Sequence, residues 1–105
     1  MIDVDVNGFL GLAEKERFSY QDANAVIIPF GLEATVSYGG GTRKGPKAMI
    51  DASHEVELFD EHFWCEPYKQ IKPVTLKEPI ILGSIESALV QLECLVERVL
   101  TDGKF

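Results

Sequence analysis

Apolar residues follow three different rhythms along this chain. The first is a continuous run, Ala25-Val26-Ile27-Ile28-Pro29-Phe30, bounded by Asn24 and Gly31. Its shortness and β-branched content predict a strand buried on both faces, as in a parallel sheet covered by helices. Pro29 brings no ladder donor, so pairing should end about there. The second rhythm follows Gly45-Pro46, a good helix start because proline at the first helical position gives up no needed hydrogen bond. Met49, Ala52, Val56 and Phe59 then recur at three- and four-residue spacing, which predicts a helix over residues 47–59 with that stripe inward. Lys47, Asp51, Glu55 and Glu57 fall on its wet side. The third rhythm is the broadest. Ile85, Ala88, Leu89, Leu92, Leu95, Val96, Val99 and Leu100 predict a helix over 84–101, with Ser84 as N-cap, Glu86 in the first turn and Gly103 in the left-handed terminating position.

The intervening stretches carry less pattern. Residues 1–24 mix charges with turn formers around one apolar clip, Phe9-Leu10-Gly11-Leu12, and read as an arm or extended segment lying on some neighbouring surface. Pro67, Pro73 and Pro79 exclude a long helix over 60–82 and favour edge pieces or covering loops over an interior strand. Trp64 and Tyr68 are expected to pack beneath that passage. The sum is an α/β class of about one and a half βα units, with residues 25–105 as the start of a core. The last helix has a wide apolar face and one confident strand to meet it, and Phe105 reads as the first residue of a further strand. We therefore expect a fragment, or a chain completed by another chain.

Between the first strand and the first helix lies a glycine-rich loop, Val36-Ser37-Tyr38-Gly39-Gly40-Gly41-Thr42-Arg43-Lys44-Gly45-Pro46. Strand, loop and helix N-terminus in that order form a ligand-facing edge in many α/β proteins. Two phosphate motifs fail here. A P-loop needs Lys after its closing glycine, where this chain has Pro46, and a dinucleotide fingerprint needs a third glycine where Lys44 stands. Hydroxyls and one guanidinium on such a loop suit a polar ligand, so Ser37, Tyr38, Thr42 and Arg43 are candidates for a pocket rim or a subunit contact.

Charge narrows the function classes. Ten Lys and Arg stand against seventeen Asp and Glu, a net charge of −7. That disfavours nucleic acid and anionic membrane surfaces. No apolar run approaches the ~20 residues that span a bilayer. The acidic N-terminus is unlike an export signal, and two cysteines suit free thiols, so a cytoplasmic location is expected. His54, Glu55, Asp60, Glu61, His62 and Cys65 match no tight metal spacing, and a Cys65 nucleophile with either histidine lacks an orienting third group.

Specific residues carry a family resemblance. Ile28-Pro29-Phe30, Ser37-Tyr38, Gly41-Thr42-Arg43-Lys44-Gly45-Pro46 and Ser53 resemble the N-terminal part of the ureohydrolases, the arginase and agmatinase group. Glu57-Leu58-Phe59-Asp60-Glu61, Glu66-Pro67-Tyr68-Lys69 and Leu100-Thr101-Asp102-Gly103-Lys104-Phe105 are similar to its agmatinase branch. Gly39-Gly40 departs from the Arg-Pro of many relatives. The resemblance implies part of a three-layer α/β/α fold, incomplete at the C-terminus. It also implies a homo-oligomer, a small cationic guanidino substrate such as agmatine, and two manganese ions that activate a hydroxide to release urea and putrescine, a step in polyamine biosynthesis. The family's Gly-Gly-Glu/Asp-His, Asp-Ala-His-x-Asp and Asp-x-Asp ligand motifs are missing from these 105 residues. No catalytic or metal-binding residue therefore carries over, and Ser37, Tyr38, Thr42 and Arg43 carry over only as loop residues. The rival expectations are a non-catalytic binding module of the same fold and one chain of a split enzyme.

Overall fold

A short parallel sheet is the frame on which the rest is hung. In the computed structural model, which describes residues 2–33 and 40–105, strand β1 (Ala25–Ile27) pairs in parallel with β2 (Pro73–Thr75). Ala25 stands opposite Pro73, Val26 opposite Val74 and Ile27 opposite Thr75. Both outer edges are engaged. Beyond β2, Val4 forms an antiparallel bridge with Leu76, and Asp5 N–H donates to the Thr75 carbonyl at 2.8 Å. Beyond β1, Phe105 N–H donates to the Asn24 carbonyl and Val26 N–H donates to the Phe105 carbonyl, each at 2.9 Å. That pair of bonds is what a parallel neighbour makes opposite Ala25. The order across the sheet is therefore Val4, β2, β1, Phe105.

Helix α1 (Gly45–Ser53) starts one residue before its proline and ends six residues earlier than the apolar spacing predicts. Ser53 explains the stop. Its hydroxyl donates to the Ile50 carbonyl at 2.5 Å, taking the acceptor that His54 N–H would use in a continuing helix. His54 N–H turns instead to Asp51, and the next two amides make similar three-residue turns. The inward ridge also differs. Ile50 and Ser53 are buried, whereas Met49, Val56 and Phe59 are exposed. The hydroxyl is fully used, accepting from Leu10 N–H at 2.8 Å, so a polar residue holds the inner face.

The proline-rich passage likewise departs from expectation. Tyr68–Ile71 forms one helical turn, α2, which ends at Lys72 in the left-handed region. Next comes β2, buried at all three positions and the direct partner of β1, where an edge piece or covering loop was expected. Pro73 is tolerated because it opens the strand. β1 is shorter than the apolar run and only half-buried, not covered on both faces. Tyr68 is buried as expected, but Trp64 is 77% exposed and belongs to a hairpin turn closed by the Asp60–Cys65 bridge. Helix α3 (Ile85–Thr101) agrees with its pattern. Ser84 Oγ accepts from Ser87 N–H at 3.2 Å, and Gly103 has φ +78°. Ala88 and Val99 are its fully buried positions. Residues 2–24 make two 3-10 turns, Phe9–Gly11 and Glu14–Glu16, the first laid across α1 and β2. Among the described residues, more large apolar side chains are exposed than buried. No described helix is long and apolar enough to cross a membrane.

Candidate functional site: the turn at the start of the first helix

Helices begin with N–H groups that have no intrahelical acceptor. Here a 3-10 turn, Thr42–Lys44, runs directly into α1, so the first such donors belong to residues 41–43. Gly41 precedes the turn at φ +125°, a region that penalises any residue with a Cβ. A glycine there has no side-chain oxygen with which to cap. The acceptor comes from Glu33 instead, whose Oε1 takes a short hydrogen bond from Gly41 N–H. The Lys44 N–H closes the turn on the Gly41 carbonyl at 2.9 Å.

The same carboxylate meets the next residues. The Gly41 N–H holds the Glu33 carboxyl below its usual range. Partial desolvation opposes this, and the Thr42 N–H, the Arg43 charge and the Arg43 N–H add to the lowering. Arg43 Nε stands 3.9 Å from Glu33 Oε2, with the guanidinium largely in water. The backbone also approaches closely here. A Cβ built on Gly31 would lie 2.5 Å from the Arg43 carbonyl oxygen, so only glycine lets residues 31 and 43 pass at this distance.

Two open recesses meet at Arg43. One, of about 850 Å³, is lined by Leu32, Glu33, Arg43, Ile81, Ser84 and Ile85 among others. The second, of about 1000 Å³, includes Arg43, Lys44, Lys47, Asp51, Glu78 and Ile81. Lys47 is tied to Asp51 at 2.9 Å, and that bond raises the ammonium pKa. The arrangement supplies shape, N–H donors and charges of both signs. The Glu33 carboxylate is taken up by the turn.

Of the residues singled out from sequence, Thr42 and Arg43 lie on this turn, and Arg43 lines both recesses. Ser37 and Tyr38 lie outside the described residues. Glu33 was missed by the sequence reading. Its role depends on a partner eight residues ahead, and no local motif announces that. His54 Nε2 contacts the Gly8 carbonyl at 2.9 Å, His62 stacks edge-on against Phe63, and Asp60 pairs with Cys65 through the backbone. Among the described residues no three His, Cys, Asp or Glu side chains converge as metal ligands, so this donor set does not fit a binuclear metal centre.

No family profile matches the chain, and no solved structure matches it. One curated protein does, the N(1)-aminopropylagmatine ureohydrolase of Synechocystis sp., with 34% identity over 95 residues. The match takes in 83% of this chain and 30% of that relative, so the chain spans about a third of the relative's length. An α/β chain with a small parallel sheet and this likeness supports the ureohydrolase family.

Proposed function

We propose that this chain is the N-terminal segment of an agmatinase-like ureohydrolase, contributing part of an arginase-like three-layer fold. The observation that carries the reading is the 34% identity along most of the chain to a ureohydrolase. Two structural features support it. The pairing of Phe105 beside β1 is that of a further parallel strand, and α3 links β2 to that position as a crossover helix does. The substrate class is a linear guanidino compound, agmatine or its N(1)-aminopropyl derivative, hydrolysed to urea and the corresponding amine.

Within that enzyme, this chain's part is structural and positional. The turn at residues 41–44 and the recesses around Arg43 shape a rim or a subunit contact. The manganese-holding residues and the attacking hydroxide belong to polypeptide outside these 105 residues. The test is urea release from agmatine and from N(1)-aminopropylagmatine, with manganese, by the intact polypeptide carrying this segment and by the 105-residue chain alone. Activity is expected from the first and none from the second. Turnover by the short chain would place the metal site within it, and an intact polypeptide inert toward both compounds would overturn the ureohydrolase reading.

A further inference from the structure

The start of α1 is capped from a distance. A helix whose N-terminal residue is Ser, Thr, Asp or Asn caps itself. Gly41 cannot, and no side chain within the Thr42–Lys44 turn does so. The acceptor is the Glu33 carboxylate, eight positions upstream, bonded to Gly41 N–H and set against Arg43. Gly31, two residues before it, abuts the Arg43 carbonyl. The backbone at 31–33 is thus fastened to the backbone at 41–43 by one close contact and one carboxylate. The contact is fixed by shape. The carboxylate is a titrating group with one side toward water, its side chain being 21% exposed.

We infer that Glu33 is a positioning residue, a protonation-sensitive latch that holds the Thr42–Lys44 turn and presents Arg43 to the two recesses. A carboxylate accepts from several N–H groups at once and complements the positive end of the helix, whereas a protonated carboxyl does both poorly. The charged groups around the latch are Arg43 beside it, Glu78 next to Gly31, and Lys44, Lys47 and Asp51 in the adjoining recess. Lys47 is occupied by Asp51, which leaves Arg43 as the nearest cation and Gly41 N–H as the nearest donor. Because the folded carboxyl sits below its ordinary value, the latch is complete above that value. It opens as pH falls through the lowered one, beneath the ordinary glutamate range.

The experiment follows the Gly41 amide of the full chain by NMR from pH 7 to 2.5, with tryptic cleavage after Arg43 and Lys44 at pH 7 as a second measure. The amide is expected far downfield at pH 7 and to move upfield with a midpoint below that of an ordinary glutamate. In Glu33→Gln the Gly41 shift should stop responding to pH. Cleavage should rise about tenfold in Glu33→Ala, the size of effect expected for a lost helix cap, and less in Glu33→Gln, which keeps an acceptor of the same reach. A Gly41 amide that does not titrate in the native chain overturns the latch, as does cleavage equal in all three proteins. These readouts involve no turnover, so they stand or fall separately from the ureohydrolase reading.

Discussion

Two hydroxyls fasten the first 3-10 turn of the N-terminal arm, beside the backbone pairing of Val4 and Asp5. Ser53 Oγ accepts from Leu10 N–H, and Thr75 Oγ1 accepts from Phe9 N–H at 2.9 Å, so successive amides of one 3-10 turn are bonded to α1 and to β2. Both residues are buried, which makes the loss of either acceptor costly. Thr75→Val keeps the shape and strands the Phe9 N–H. It is expected to destabilise by about 1–3 kcal/mol, read as a lowered urea midpoint with unchanged slope. Ser53→Ala should behave differently, because the same hydroxyl also terminates α1 on the Ile50 carbonyl. Freed from it, that carbonyl can accept from His54 N–H and lengthen the helix. Hydrogen exchange should then speed up at Leu10 and slow down at His54. Faster exchange at both amides would show that the hydroxyl is not what stops the helix.

At the scale of elements, α3 is fastened at both ends. Ser84 caps its start, and Ser84→Ala is expected to cost about 1 kcal/mol of helix stability, measurable by thermal melting. Its far end is held by Asp102, which accepts from Tyr20 Oη at 2.6 Å and from Arg98 Nε at 3.1 Å. The Tyr20 hydroxyl and then Arg98 lower the Asp102 carboxyl pKa, while desolvation and then Asp102 raise that of the Tyr20 phenol. The depressed acid contributes stability above its ordinary range and loses it as pH falls through the folded value. The raised phenol contributes below about pH 10 and loses it as pH rises through its own. Asp102→Asn should therefore flatten the acid limb of the melting temperature between pH 5 and 2 relative to the native chain, an interval of about three units around ordinary carboxylate values. α3 was legible in the sequence because cap, period, length and terminating glycine all agree. α1 was legible only at its start. Met49 and Ile50 are adjacent and both apolar, and tertiary contacts with the arm selected Ile50 and Ser53 as the inner ridge. The buried, interior place of β2 was illegible because Val4 and β1, distant in sequence, confer it on a proline-led tripeptide. Glu33 was hidden for the same reason, since its partners lie beyond the window in which capping motifs are read.

For the whole molecule the deciding feature is that α3 presents apolar residues in two directions. Ala88 and Val99 face inward, while Leu89, Val96 and Leu100 are exposed on another side, with Leu92, Glu93 and Glu97 completing an open recess of about 900 Å³. Phe105, beside β1, is 91% exposed. A contiguous wet stripe of this kind drives association unless something covers it. If the segment is part of a larger ureohydrolase, further polypeptide supplies that cover. The same substitutions should then act in opposite senses in the two contexts. Replacing Val96 and Leu100 by Lys in the 105-residue chain should reduce self-association in sedimentation velocity and leave the helical circular dichroism unchanged, because neither side chain supports the inner packing. In the intact polypeptide the pair should lower stability by about 3–5 kcal/mol, the scale for placing unpaired charge in a packed interior. Equal and small effects in both contexts would mean that the stripe is solvent-facing in the complete protein, and the placement of α3 as a crossover helix between sheet and outer layer would fail with it.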